Sequence, residues 1–318
     1  MRNKWIRKVL SLCVTLVILM AFGAPIPALA APVTTISLSG TPGDGPWFLS
    51  DVTVTLEATD NISGVARIEY RLDYPDPWIT YTSPFIISEE GYYHVAARAW
   101  DNEGHVEDPW PTVLVTIDKT PPVTTITVNG EPIGIDDWRP GDPTVMLTAD
   151  DNVSTTGATP IQYSLDGGNN WLDYDGVPFF ISNEGITTIL AKVRNNAGIQ
   201  EDPPVSATVK LDKTAPAATM TVIPTEISSK KSGRMFDICY TGTALDSVSG
   251  IYLVNTELID EYGVYSQNLG ASLSGTVSVE RHCNDDDADG RTYTFRLTVT
   301  DMAGNQATID AVTTVTRN

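Results

Sequence analysis

The chain has 318 residues, in which 40 Asp and Glu stand against 20 Lys and Arg, a formal net charge of −20 at pH 7. A protein this acidic lacks the basic footprint that neutralises phosphates, which excludes nucleic acid as a partner. Three His and three Cys leave little material for zinc or thiol chemistry, and the length suits about two or three domains of ordinary size.

The first 30 residues read as a secretory signal peptide. Arg2, Lys4, Arg7 and Lys8 precede the apolar run Val9 to Phe22, and Ala28-Leu29-Ala30 is a small-residue exit that places cleavage before Ala31. The competing reading is an uncleaved N-terminal anchor, but a run of 14 residues is short for a bilayer span. Cys13 sits poorly for lipid attachment and leaves with the signal. The remainder carries 16 basic and 40 acidic groups, a net charge of −24. That excess favours solubility, attracts cations such as Ca²⁺ and opposes adsorption to anionic membranes. The expected location is secreted or cell surface, with no membrane span after cleavage.

Internal repetition then sets the architecture. APVTTISL at 31–38 returns as PPVTTITV at 121–128 and as APAATMTV at 215–222. Between the first two copies, ATDN at 58–61 matches ADDN at 149–152, YRLD at 70–73 matches YSLD at 163–166, and PFIISEEG at 84–91 matches PFFISNEG at 178–185. Pro-rich joints, IDKTPP at 117–122 and LDKTAP at 211–216, separate the copies. The predicted domains are 31–120, 121–214 and 215–318.

Within each copy apolar residues alternate with period two and are rich in β-branched and aromatic types, as in VTVTLEA, VARIEYRL and YYHVAARAW. Gly, Pro, Asn and Asp interrupt them about every ten residues. The expected fold is all-β: a tandem array of three Ig-like antiparallel β-sandwiches of about seven strands each. Each copy ends in a hairpin, turning at DNEG 101–104, NNAG 195–198 and DMAGN 301–305. Tyr93 and Tyr293 open the sixth strand, four residues after Glu89 and Asp289, as a tyrosine corner requires. Thr187 holds that place in the second copy.

With Y-x-L-D, the pairs Trp78/Tyr81 and Trp171/Tyr174, PF-x-IS-x-EG and the DKT-x-P joint, the first two copies resemble bacterial Ig-like repeats of the OmpL type. The third, through DEYG at 260–263, DGRTY and TDMAGN, is similar to an Ig-like module that closes such chains. The resemblance implies a modular exported scaffold and supplies no ligand.

Ig-like topology would gather acids at one end of each domain. Asp118, Asp150, Asp151 and Asn195 would meet at the second domain, and Asp212, Asp246 and Asp301, with Asn305 nearby, at the third. Carboxylates held together repel unless a hard cation with about six to eight oxygen ligands joins them, so one reading is a Ca²⁺ at each joint. The other is that these residues form turns, bonding their own backbone. A second cluster, Asp285, Asp287 and Asp289 with Asp286, contains D-x-D-x-D-G. It fails the EF-hand signature because Arg296 stands at the twelfth position. A solvated acidic loop is the better account of it.

Cys239 and Cys283, assigned to neighbouring strands of the third domain, form a disulfide in one reading; in the other, Cys239 is a buried thiol and Cys283 is free. Trp78 and Trp171 recur with their tyrosines and so read as packing residues, as do Trp47 and Trp138 at the ends of the sandwiches. Trp100 and Trp110 have no counterpart in the second domain and suit a private ligand surface.

His94, His105 and His282 are scattered, and neither a G-x-S-x-G elbow nor an HExxH motif is present. The chain therefore reads as a non-catalytic scaffold or adhesion protein, stiffened by Ca²⁺ at its joints, whose partner is a cell-envelope component, a glycan or a protein. The alternatives are a carbohydrate-binding accessory protein and a hydrolase with two carboxylates about 5–9.5 Å apart.

Overall fold

A computed structural model describes residues 16–17 and 31–317, apart from 131, 133, 157, 158 and 230–232. The expected cleavage site before Ala31 and Cys13 lie outside the described residues. Leu16–Val17 forms a short strand paired with Leu38 and Ser37.

The chain is all-β, folded as tandem Ig-like repeats. In the first repeat the strands Val33–Ser39, Val52–Thr59 and Phe85–Ile87 make one sheet, in that order. The second sheet has the order Trp47–Phe48, Thr112–Ile117, Gly91–Asp101, Val65–Leu72, Ile79–Thr80. Period-two alternation sends Val52, Val54 and Leu56 inward to meet Val95, Ala97, Val115 and Ile117, all of them buried. Each Val, Leu or Ile among them contributes about 1.5–3 kcal/mol through burial.

The third repeat has the same plan. Ala217–Ile223, Met235–Leu245 and Ser274–Glu280 form one sheet. The other has the order Glu226–Ser228, Gln306–Thr316, Arg291–Asp301, Ile251–Asp260, Gln267–Gly270. The second repeat has two sheets as well, Val123–Asn129 with Thr144–Asp150 and Phe179–Phe180, and Trp138–Arg139 with Val205–Leu211, Gly185–Lys192, Gln162–Ser164 and Leu172–Asp173.

A feature absent from the sequence reading is a two- or three-residue strand paired in parallel with the last strand of each repeat. Trp47 lies opposite Thr116, Trp138 opposite Lys210 and Glu226 opposite Thr314. The recurring Trp47 and Trp138 are buried there.

By internal contacts the chain forms two compact units, Met1–Thr125 with Thr148–Gln162 and Ala191–Val205, and Ile126–Leu147 with Tyr163–Leu190 and Ser206–Asn318. Each unit contains one joint in full. In the first unit, the Tyr93 hydroxyl donates to the Glu89 carbonyl at 3.1 Å, closing the expected corner. In the second, the Tyr293 hydroxyl reaches back farther than expected, to the Glu280 carbonyl at 3.0 Å.

The third repeat also contains a buried ion pair. Arg291 is 1 % exposed and grips Asp260 through Nε–Oδ1 at 2.9 Å and Nη2–Oδ2 at 2.6 Å. Burial alone would raise the Asp260 pKa, yet hydrogen bonds from Arg291 and from backbone N–H groups hold it below the usual carboxylate value.

The two cysteines require a correction. Both are free thiols, Cys239 exposed and Cys283 buried, the reverse of the thiol reading and incompatible with the disulfide. Alternation along Met235–Leu245 buries Ile238 and Tyr240 and turns Cys239 outward beside Thr276, whereas Cys283 lies past the end of Ser274–Glu280, in the core cluster.

Candidate functional site at the joints between repeats

Both joints are built from the same local parts. In the first, the Lys119 backbone N–H and the Thr120 hydroxyl donate to the Glu90 carboxylate, while Lys119 Nζ reaches Asp51 at 3.0 Å and the Ser88 carbonyl at 2.6 Å. In the second, Lys213 and Thr214 hold Glu184 in the same way, with Lys213 Nζ at 2.9 Å from Asp142 and 3.0 Å from the Ser182 carbonyl. The repeated E-G and D-K-T motifs are thus the two halves of one clamp.

The D-K-T aspartate lies inside this clamp. Asp118 and Asp212 are both fully buried, and one oxygen of each accepts the N–H of Thr120 or Thr214. The hairpin turn that closes the next repeat supplies a second group. Asn195 and Asp301 each accept, through Oδ1, the N–H four residues ahead at 2.8 Å, because a glycine at φ 94° turns the chain back (Gly198 and Gly304). In the second joint a third group comes from Asp246, whose Oδ1 accepts the N–H groups of Val248, Ser249 and Gly250.

The two joints differ in what lies at their centre. At the first, the Asn195 amide donates to Asp118 Oδ2 at 3.0 Å, the Thr120 carbonyl at 3.1 Å and Asp151 Oδ1 at 3.3 Å. The Ser154 hydroxyl completes the network by donating to Asp151 Oδ2 at 3.2 Å and accepting from the Ala197 N–H. Asp150 does not join, being exposed at the end of its strand. Asn195, read from sequence as an oxygen ligand, turns its amide donor toward the acids.

At the second joint the corresponding position is a carboxylate. Asp212, Asp246 and Asp301 present one oxygen each within 4.8 Å of one another, the sole such group of acids, His or Cys among the described residues. Asp212 and Asp301 have no solvent exposure, and none of the three forms an ion pair with Lys, Arg or His among the described residues. The Asn305 amide covers one side, donating to the Asp212 carbonyl at 3.0 Å and to Asp301 Oδ2 at 2.9 Å. Ser249 is 8 % exposed, and its N–H bonds Asp212 Oδ2 at 3.0 Å, yet its buried hydroxyl has no hydrogen-bond partner. An oxygen-only donor set suits a hard cation and offers nothing to a soft one.

A third variant occurs in the first repeat, where Asp101 holds the place of Asn195 and Asp301. Its Oδ2 lies 2.8 Å from His105 Nδ1. Burial raises the Asp101 pKa, but hydrogen bonds from the His105 ring and from backbone N–H groups outweigh it and bring it to about 2. The same contact raises the His105 pKa.

The D-x-D-x-D-G cluster is not gathered. Asp285 and Asp289 are exposed, Asp285 pairs with Arg317 at 2.6 Å, and Asp287 accepts the Tyr262 hydroxyl and the Gly290 N–H. His94 rests against Asp73, and His282 against Asn284. Trp100 donates through Nε1 to Glu69 at 3.0 Å, and Trp110 meets Trp78 edge to face at 5.6 Å. No described helix is long and apolar enough to cross a membrane.

One pair was overlooked in the sequence: buried Glu107 accepts the Thr34 N–H at 2.9 Å, and buried Glu201 accepts the Thr124 N–H at 2.9 Å. The E-D-P that follows the hairpin turns of the first two repeats was its signal.

Fold and joints together define a chain of tandem Ig-like modules. No family model matches it, and no curated protein does, so the OmpL-type resemblance stands on its motifs. Solved structures with a similar fold include part of a 1.5-MDa bacterial ice-binding adhesin, 14 % identical over 91 % of this chain and 99 % of that one, TM-score 0.39. Another is a Ca²⁺-stabilized adhesin of an Antarctic bacterium, 16 % identical over 92 % and 83 %, TM-score 0.36. A three-domain stretch of titin is 13 % identical over 91 % and 99 %, TM-score 0.35.

Proposed function

We propose that the protein is an exported, non-catalytic scaffold of three Ig-like domains, at 31–120, 121–214 and 215–318, acting in adhesion or as a spacer at the cell surface. Its second joint is held by Ca²⁺. The observation that carries this reading is the meeting of Asp212, Asp246 and Asp301 within 4.8 Å, two of them buried and all without a cationic partner among the described residues. Like charges about 4–5 Å apart repel by roughly 3–4 kcal/mol at an effective dielectric constant of about 20, so folding this joint calls for a cation. Burial also weighs against the hydrolase reading, since a glycan cannot reach carboxylates with no exposure. The signal peptide and the exported location rest on the N-terminal sequence pattern.

Calorimetric unfolding with Ca²⁺ and with chelator tests the proposal. A ligand bound only by the native state at about 100 times its Kd adds about 2.7 kcal/mol, which raises the transition of a 100-residue domain by roughly 10 °C or more. An identical transition in chelator and in millimolar Ca²⁺ removes the cation from the joint.

A further inference from the structure

The outer face of the first repeat's larger sheet gathers three arginines, Arg67, Arg71 and Arg98, around one glutamate, Glu69. Along Val65–Leu72, the residues Ile68, Tyr70 and Leu72 pack toward the core, which leaves Arg67, Glu69 and Arg71 on the opposite face. Register places Arg67 beside Trp100, Glu69 beside Arg98 and Arg71 beside Ala96. Arg67 and Arg98 are both paired with Glu69, at 3.0 and 2.8 Å, and they stack on Trp100 at 4.2 Å and Trp78 at 4.1 Å.

Arg71 has no such carboxylate partner among the described residues. Its guanidinium lies among aromatic rings, 4.8 Å from Trp78, 5.1 Å from Tyr74 and 5.7 Å from Trp110. Because its cross-strand neighbour is only Ala96, a hollow of about 390 Å³ opens there, lined by Arg71, Asp73, Tyr74, His94, Ala96 and Thr112. Asp73 accepts the His94 backbone N–H at 2.9 Å through Oδ1, which also lies 3.3 Å from the His94 ring. Tyr74 is 81 % exposed and Trp110 39 %. The second repeat lacks this arrangement: Ser164 stands in register with Arg71, Leu190 with Ala96 and Pro204 with Trp110.

We infer that this hollow binds an anionic polysaccharide, with a carboxylate or sulfate on the Arg71 guanidinium and a sugar ring against Tyr74 or Trp110. An arginine braced by aromatic rings presents a planar, pre-organised fork for an oxyanion, and flat exposed rings beside it suit the apolar face of a sugar. A net charge of −20 opposes diffuse attraction to such a polymer, so binding requires a local site.

The test is mobility of the purified protein through native gels containing alginate, dextran sulfate or uncharged dextran. Retardation is expected in one or both anionic gels and not in dextran, and the gel that retards identifies the anion. Arg71→Gln should weaken binding at least tenfold and Trp110→Ala severalfold, each with an unchanged thermal transition. Arg296→Gln, at a half-buried arginine of the third repeat paired with Asp310, should bind as the parent does. No retardation in either anionic gel overturns the site. Retardation equal in Arg71→Gln, or weakened equally by Arg296→Gln, does the same.

Discussion

The two joints share a backbone and differ most in the side chain supplied by the hairpin turn of the next repeat. Both hold a buried D-K-T aspartate in a glutamate clamp, and both receive a side chain from the hairpin turn of the next repeat. At the first, that side chain is Asn195, whose amide hydrogens occupy the centre and satisfy Asp118 and Asp151. At the second it is Asp301, which adds a charge where the first joint has a donor. In the first repeat Asp101 meets the same demand with His105. One position in the turn thus has three neutralising solutions: an amide, an imidazole and, at the second joint, the proposed cation. On the proposed reading, the exchange of NH₂ for O⁻ at this position makes the second joint depend on a cation and leaves the first self-sufficient.

The largest expected effect calibrates the comparison by identifying the third-repeat transition. Arg291→Met leaves Asp260 buried without its partner and should lower that transition by about 3–5 kcal/mol in urea or heat unfolding. The first joint can then be turned into the second. Asn195→Asp places a third carboxylate against Asp118 and Asp151, and should cost about 3 kcal/mol in chelator and recover with Ca²⁺. Stability equal to the parent in chelator would break the comparison. In the opposite direction, Asp301→Asn should abolish the Ca²⁺ response of about 2.7 kcal/mol and leave chelator stability unchanged or higher.

The clamp should not distinguish the joints. Glu90→Ala and Glu184→Ala each remove the same clamp acceptor and should each cost about 1 kcal/mol by denaturant titration. The smallest effect is the pH response of the first repeat. Asp101, depressed to about 2, contributes stability that is present above about pH 4 and lost as pH falls through its folded value. His105, raised, contributes below about pH 6.5 and loses that contribution as pH climbs through its folded value. The first-repeat melting temperature should therefore be highest between those limits, and His105→Asn should flatten its alkaline side.

Much of the fold was legible because two-residue alternation, turn residues and register-matched motifs are local signals. The tyrosine corner of Tyr93 followed the same logic. Cys239 was misplaced although the signal was local: in F-D-I-C-Y it shares the face of Asp237, opposite Phe236, Ile238 and Tyr240, and that face turns outward. Asp150 was misplaced beside Asp151 because one residue of shift reverses the face.

The sequence by itself determined an acidic all-β chain, its threefold repetition, and which acids topology could bring near each joint. Only the tertiary structure decided which oxygens converge, that Asn195 donates where a ligand was expected, that Asp212 and Asp301 lose all contact with water, and that Arg71 lies among aromatic rings without a carboxylate partner among the described residues. The reason is physical: alternation and turn chemistry act over a few bonds, whereas repulsion, desolvation and hydrogen bonding at a joint depend on atoms brought together from roughly 40 to 90 residues apart.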